Sequence, residues 1–547
     1  MSLSDCKNLV AMDDKLFSDR GTLMSLWQEL AENFNPNRAD FTSSITIGED
    51  WASYLTTSQP ILSHRELGGM ISGVLRPYGR DWFDINVDGY EYLHEDTKRY
   101  IELETKILRN AIYDPDAMFN RSQREADDDI SLIGNSITSC VMNWRKKSLL
   151  YTTHHPRDVV WHENYDRSIG RVSRRDEQPI SVLNQQFKGN IHEKLKKILD
   201  KEPFRKVKIR HCFLDADLYH TGKNTGNKKY VSIWYDVENS FIMEELYTDT
   251  PMYSISRWKT LSQSQYGYSP STTAALADAR LIQDMMVVLL EAGQKAVTPP
   301  MIAVTEAIRS DVGLYSGAIT SVDSEYDERL GDVLRPITQN NSAIPMGMDM
   351  MNNIKQMIDE AHYINKLGLP PLGGGMSPFE VSQRVSEYVR NGLTLLDPLE
   401  SERNHSICSL SYEVGKANGL FAPPEMIPDE LIEKKVEFKF KNPLVEASEK
   451  VKGSMLQEAI GVISQMTAID PDASMVLDTN TSMRDTLEGI GSPRDWFRTE
   501  DQVDGMKAAK QEQELQQNMM AQIQQGAQAA QSVGEAGQAL QALSGEV

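Results

Sequence analysis

Four groups of residues have types and spacings that bear on chemistry. Gly373-Gly374-Gly375, entered from Pro370-Pro371-Leu372 and left through Met376-Ser377-Pro378, is nearly bare of side chains and invites comparison with a phosphate cradle. Such a loop needs a Lys-Ser/Thr pair after its glycines, to reach phosphate and to hold Mg²⁺. Met376-Ser377-Pro378 lacks the lysine, so a linker between helices is the plainer reading and no nucleotide cofactor is expected. Asp127-Asp128-Asp129 suggests a cation site, but consecutive aspartates on a helix point in different directions and make a poor cage. A solvated, charged helix face is expected there. His154-His155 with His162 and Glu163 suggests zinc, yet adjacent histidines seldom ligate one ion and no second pair stands at finger or helical spacing. Ordinary surface or interface histidines are expected. No G-x-S-x-G elbow and no HExxH run occurs, so no catalytic residue is assigned. The fourth group is Arg280, Asp284, Glu291 and Lys295, which at 100° per residue fall within about 60° of one another on a helix. Arg280/Asp284 and Glu291/Lys295 also stand at i,i+4. That stripe reads equally as a solvated face and as a seam between copies or a channel wall.

The elements that must position these groups follow from periodicity. Leu16–Phe34 and Ile61–Leu75 repeat apolar residues at helical spacing, stopped by Asn35-Pro36 and Arg76-Pro77. Trp82–Ile85 begins extended structure. Two polar helices are expected at His94–Ile112 and Asp114–Thr138, with Asp114-Pro115 at N-cap and N1 of the second. Short strands are expected at Val159–Trp161, Ile169–Val172, Val207–Phe213 and Val231–Tyr235, with a hairpin turn at Gly222–Lys229. Ser269-Pro270 opens a helix to about Val297 that is apolar nearly all round apart from the charged stripe, so many neighbours must bury it. Turn-rich residues 300–345 separate it from a second helix, about Met346–Leu367. Two long helices flanking a small module would build a stalk with a tip. Ser377-Pro378-Phe379-Glu380 then starts a helix with a capping box, kinked at Asp397-Pro398 and stopped by Gly419. Val436, Phe438 and Phe440 alternate as a strand, and beyond Lys507 the chain is rich in Ala and Gln.

Composition narrows the classes. The 547 residues include 57 Lys+Arg against 79 Asp+Glu, leaving −22, which argues against a protein that grips nucleic acid over its whole surface. Cys6, Cys140, Cys212 and Cys408 are far apart with no CxxC pair, so neither a disulfide scaffold nor a zinc ribbon is expected. The longest apolar run is Met285–Leu290, and MSLSDCKNLVAMDDK has no signal-peptide pattern. A cytoplasmic, non-membrane chain is expected.

Arg257-Trp258 … Tyr266-Gly267-Tyr268-Ser269-Pro270 … Ala275-Leu276-Ala277-Asp278 … Pro299-Pro300 resembles the signature of the podovirus (short-tailed bacteriophage) head-to-tail connector, or portal protein, family. Trp27 … Pro36-Asn37-Arg38, Leu67-Gly68-Gly69-Met70 … Leu75-Arg76-Pro77 … Trp82-Phe83, and the glycine loop followed by Glu380 … Arg384 … Glu387 are also similar to it, so the resemblance runs over residues 16–440. It implies an α+β, largely helical portal fold in a ring of about twelve copies at one capsid vertex of the virion, assembled in the host bacterial cytoplasm as a late protein. The implied parts are a wing (1–255 and 377–442), a stem (256–297 and 346–369), a clip (298–345), a tunnel loop (370–376), a crown (443–500) and a C-terminal helical barrel (501–547). Leu372, Gly373, Gly374, Gly375 and Met376 would then meet double-stranded DNA during packaging and ejection. Partners implied are the terminase large subunit, which would hydrolyse the ATP, the major capsid and scaffolding proteins, and tail adaptor proteins. The chain itself would be no enzyme. About twelve copies would carry roughly −260, a field that repels phosphate and suits a conduit better than a tight DNA binder. The alternatives are a nucleic-acid enzyme or hydrolase with unrecognised catalytic carboxylates, and an internal capsid scaffold protein that never touches DNA.

Overall fold

The first apolar repeat forms two helices, α1 (Cys6–Asp19) and α2 (Gly21–Phe34), where its spacing predicts one from Leu16. In the computed structural model of the chain the break falls at Arg20, whose guanidinium is drawn to the carbonyls of Pro156 and Val159, each at 2.7 Å, and of Arg157. Isolated positions and pairs apart, the described residues are 6–219, 228–303, 334–336, 343–364, 397–421 and 427–441. The chain divides into two units, residues 1–93 with 97–448, and 94–96 with 449–547; the fold given below is that of the first.

Helix α3 (Gln59–Leu75) stops at Arg76 before Pro77, and β1 (Phe83–Val87) and α4 (Glu95–Ile112) follow as the periodicity predicts. The second polar helix is shorter than expected. Asp114 caps only one 3-10 turn, accepting from Asp116 N at 2.8 Å, and Met118 then turns left-handed (φ 57°). Helix α5 (Phe119–Ile133) ends at Gly134 (φ 79°), so the residues to Thr138 belong instead to β2 (Asn135–Asn143). Strand β2 is buried on both faces over its first six residues, which erases the alternation by which a strand announces itself.

Strands β3 (Ser148–His154) and β9 (Tyr253–Arg257) flank β2 in a three-stranded antiparallel sheet. Strands β4 (Val159–Glu163), β5 (Ile169–Pro179), β6 (Lys206–Asp215), β7 (Tyr230–Asp236) and β8 (Phe241–Thr248) form a five-stranded meander in that order. Asp215 stands opposite Tyr230 across the β6–β7 pair, as a hairpin there requires; its expected turn lies outside the described residues except for Lys228 and Lys229. Helices α6 (Ile180–Gln186) and α7 (Glu193–Leu199) bury Ile180, Leu183 and Leu195 against Val207 and Ile209. Helix α1 covers Cys212, Val231, Ile233 and Tyr235, and its buried Asp13 accepts from Ser173 Oγ at 2.6 Å and from Tyr235 and Arg171. All four cysteines are buried and free.

Two further helices, α8 (Leu276–Val297) and α9 (Ala343–Ala361), pair through Ile282, Met351, Ile354 and Ile358. Leu289 sits where a Cβ on Gly347 would fall, 2.7 Å away, so the two helices approach closely at that end. Short strands β10 (Met301–Ala303) and β11 (Leu334–Pro336) pair antiparallel beyond them. Helix α10 (Ser406–Ala417) ends before Gly419 (φ 73°), the expected stop, and β12 (Val436–Phe440) returns to pair with β1, Phe83 opposite Phe440. The whole is α+β, as the sequence indicates.

Candidate functional site: an exposed helical pair on a locked base

The base is built where α5 gives way to β2. Gly134 is left-handed, and a Cβ on it would lie 2.5 Å from the carbonyl carbon of Tyr268, so only glycine admits the crossing strand. Gly267 N donates to Asn135 Oδ1 (2.7 Å) while Asn135 Nδ2 donates back to Gly267 O (2.9 Å), and Trp258 N donates to Gly134 O (2.9 Å). Tyr266 packs between Trp27 and Trp161, with ring centroids 5.9 and 4.5 Å away. Ser269 Oγ donates to Leu132 O (2.7 Å) and receives Thr272 N (3.1 Å), starting the helix. Its first turn, Ser271–Ala275, is wound as a π-helix, which places Ser271 Oγ 3.0 Å from both Ser131 O and His362 Nε2. Burial lowers the His362 pKa and keeps the ring neutral, so Nδ1–H donates to Ile358 O at 2.8 Å.

Side-chain amides and carboxylates then tie both long helices to the segment around α3. Gln283 Oε1 accepts from Thr56 N (2.8 Å) and Thr57 N (3.1 Å), and its Nε2 donates to Thr57 O (3.1 Å). Asp359 Oδ1 accepts from Ser63 Oγ (2.6 Å) and Gln59 Nε2 (2.8 Å). Outside the seam between them, the two helices are bare. On α8, Leu281, Val287, Val288, Leu290 and Val297 are exposed, Val288 by 65% and Val297 by 83%; on α9 so are Met346, Met348, Met350 and Met357. A helix apolar nearly all round thus has, within one chain, a buried side of only Leu276, Ala279 and Ile282.

A buried ionic cluster braces the base from behind. A second π turn, Glu400–His405, delivers three successive side chains into it. Arg403 Nη2 lies 2.7 Å from Asp127 Oδ1, and Arg76 Nη2 lies 2.5 Å from Asp127 Oδ2, every side chain at most 4% exposed. Asn404 Nδ2 donates to Leu75 O at 3.1 Å. Glu402 accepts from Arg257 at 2.9 and 3.1 Å, and Arg257 also pairs with Glu163. Asp129 accepts two bonds from Arg38, at 2.7 and 3.0 Å. Burial brings the Arg403 pKa down to about 10, which leaves it charged at neutral pH. Burial first, then Asp129 and Asp127, pushes Asp128 up to about 6.

The sequence matches the family described as bacteriophage head to tail connecting protein over residues 7–497, about nine-tenths of the chain. The chain belongs to that family. Among its relatives is the portal protein of Salmonella phage epsilon15, 21% identical over 541 residues that cover 95% of this chain and 94% of the relative. Two solved structures are loosely alike: the neck of an empty GTA particle computed with C6 symmetry (TM-score 0.37, 11% identity, 75% of this chain and 87% of that one) and the neck of a native GTA particle computed with C12 symmetry (0.34, 12%, 74% and 86%).

Three expectations for this connector are corrected. The aspartate run is no solvated face: Asp127 and Asp129 are each 2% exposed and neutralised by arginines from three other segments. His154 is half-buried, 2.8 Å from Ser139 Oγ, and desolvation holds its pKa down to about 3; His155 Nε2 pairs with Asp40 at 2.6 Å. Only His162 is exposed as expected. In the charged stripe, Arg280 bonds Glu29 at 2.5 Å in place of Asp284, while Lys295 stands 4.0 Å from Glu291. The helix opened by Ser269-Pro270 ends at Val297 as predicted, whereas its partner spans Ala343–Ala361. Leu372–Met376, most of residues 298–345, and nearly all of 443–547 lie outside the described residues. Among the described residues no three metal-ligating side chains gather, and no helix is long and apolar enough to cross a membrane. The collar residues Gln283, Asp359, Thr56 and Ser63 were not legible as a site; the one hint was polar residues placed low on otherwise apolar helices.

Proposed function

We propose that the chain is a portal subunit, one of a ring of about twelve at a single capsid vertex, through which double-stranded DNA is packaged and later ejected. The observation that carries this reading is the family match across residues 7–497. The bare faces of α8 and α9 support the ring. The two helices expose apolar residues on different elements, so α8 of one copy meets α9 of the next in a heterologous, head-to-tail contact, the kind that closes into a ring. Contact of that kind would cover the nine exposed aliphatic and methionine side chains, which a monomer leaves in water.

In this reading the α8–α9 pair is the stem, residues 298–345 the clip that docks the terminase large subunit and then the tail adaptors, and Leu372–Met376 the loop facing DNA. With Arg280 held by Glu29 of its own chain, the rest of the charged stripe, Asp284, Glu291 and Lys295, would set register between neighbouring stems more than it adds stability, because exposed pairs contribute about 0–1 kcal/mol each. Capsid and scaffolding proteins would surround the ring. The role is structural, with ATP hydrolysis left to the terminase, and the net −22 per chain keeps the lumen from holding DNA through counterion release. Negative-stain microscopy of the purified chain tests it: rings with a central hole wide enough for a duplex are expected. Monomers that hydrolyse nucleic acid, or ring-free assemblies that line a capsid, would overturn it.

A further inference from the structure

Around Phe17, near the end of α1, three arginines crowd one ring and two of them lack an ion-pair partner among the described residues. Phe17 is 7% exposed, and three guanidinium carbons stand over its ring, that of Arg175 at 3.5 Å from the centroid, Arg20 at 5.0 Å and Arg210 at 5.5 Å. The ring's negative face attracts each of them, but their mutual repulsion needs anions nearby. Arg210 has one, Asp14 at 2.5 Å. Arg20 spends its terminal nitrogens on the three carbonyls of Pro156, Arg157 and Val159, with no carboxylate within ion-pair distance among the described residues. The nearby Asp13 is taken by Arg171 and Asp158 by Arg157. Arg175, exposed on β5, has no carboxylate partner among the described residues either. Burial first, then Arg210, lowers its pKa, and Asp14, Asp158 and Asp13 offset this only in part, so a negative group at this place would be favoured.

The shape of the site says which negative group. With the Arg175 guanidinium carbon 3.5 Å from the Phe17 ring centroid, its N–H groups still form a planar fork, the geometry that takes a carboxylate by two parallel bonds. A duplex would bring a phosphate every few ångströms, and its further phosphates would meet Asp14 and Asp158, whose side chains are 56% and 33% exposed. A single carboxylate meets no such repulsion. A chain with 79 acidic residues carries carboxylates over its surface, and the nearest chain in a ring is another copy. We propose that Arg175, pre-set by Phe17 and flanked by Arg20 and Arg210, receives an aspartate or glutamate side chain from a second copy of this chain. The proposal rests on the ring reading above.

Zero-length carbodiimide cross-linking of the Arg175→Lys variant tests it, since the reagent joins a lysine amine only to a carboxylate in direct contact. With equal amounts of ¹⁴N and ¹⁵N chains assembled together, about half of the cross-links from the introduced amine should join peptides of different isotope if the contact is between copies. Absence of any cross-link from that position, or links confined to one isotope, overturns the proposal. In parallel, Arg175→Glu should raise the concentration for half assembly by at least about tenfold in low salt, as expected for reversing one side of a close interfacial ion pair. An unchanged concentration overturns it, as does an Arg175→Glu variant that assembles normally but loses affinity for a short DNA duplex, which would make the site a phosphate site. Wild-type rings with an indifferent Arg175→Glu defeat this inference alone; wild-type chains that form no rings defeat the ring reading and this proposal together.

Discussion

Replacing Gly134 by alanine isolates the close approach on which the base depends, provided it is compared with Gly419→Ala. Both glycines are left-handed, at φ +79° and +73°, but a Cβ on Gly419 meets nothing within 4 Å while one on Gly134 lies 2.5 and 2.6 Å from Tyr268 C and Ser269 N. The left-handed conformation costs an alanine about 1–2 kcal/mol, and the stiffer unfolded chain returns about 0.4–1 kcal/mol of that. Gly419→Ala should therefore lose roughly 0.5–1 kcal/mol. Gly134→Ala carries that loss and an overlap of about 1 Å against backbone, which must be relieved by moving the Gly267–Ser269 strand. The movement strains three hydrogen bonds, those from Gly267 N to Asn135 Oδ1, from Asn135 Nδ2 to Gly267 O, and from Trp258 N to Gly134 O. At about 1 kcal/mol each the total reaches roughly 3–4 kcal/mol. Thermal unfolding followed by tryptophan fluorescence reads this directly, because Trp27 and Trp161 flank Tyr266 in the same cluster. Midpoints should fall by about 3–4 °C for Gly134→Ala and about 0.5–1 °C for Gly419→Ala, since at about 2 cal/mol/K per residue a unit of this size shifts by about 1 °C per kcal/mol. Equal losses in the two variants would refute the account, since the contact with Tyr268 is all that separates them.

Asp127→Ala leaves Arg76 and Arg403 facing each other in a dry site, and should cost about 3–5 kcal/mol of stability by calorimetry; a loss under about 1 kcal/mol would mean the cluster is solvated. Burial holds His64 and His154 down to about 3 against an ordinary 6.5, so between those values the unfolded chain binds protons that the folded chain refuses. Stability should be level above about pH 6.5 and fall below it by about 1.4 kcal/mol per pH unit for each histidine. Asp128, raised to about 6, opposes this between pH 6 and its ordinary 3.8, because there the folded chain takes the proton first. Thermal midpoints at about pH 7.5 and about pH 5 should therefore differ, and a flat profile would contradict the burial of these rings. Val288→Asp places a charge on the bare face of α8 and should shift rings to monomers in sedimentation velocity without lowering the monomer's thermal midpoint. Removing Gly373–Gly375 should leave rings intact and reduce packaged DNA per capsid in a packaging assay; normal packaging would remove the loop from the DNA path.

What the sequence disclosed depended on how local the cause was. The stops of α3, α8 and α10 were readable because the residues that end them, Arg76-Pro77, Thr298-Pro299 and Gly419, are adjacent in the chain. Strand β12 was readable because it is half-exposed and alternates, Glu437 and Lys439 outward. Strand β2 was not, since both of its faces are covered. The aspartates were misread for a related reason: nothing beside Asp127 in the chain says that Arg76 and Arg403 will fold over it. The α8 stripe was half legible. Its apolar circumference signalled burial by many neighbours, but the neighbour of Arg280 turned out to be Glu29 from α2.

The collar at the foot of α8 and α9 sets a mechanical tolerance. From Gln283 to its end at Val297, α8 is a free lever about 21 Å long, clamped over a base about one helix diameter, or about 10 Å, across. A slip of about 1 Å within that clamp would swing the far end by about 2 Å, enough to misalign side chains that must mesh with the next copy. Apolar contacts slide by such amounts at little cost, whereas hydrogen bonds weaken steeply with angle. Gln283 against Thr56 and Thr57, and Asp359 against Ser63 and Gln59, therefore act as angular stops: they hold the lever's heading while its sides stay greasy enough to seat against a neighbour.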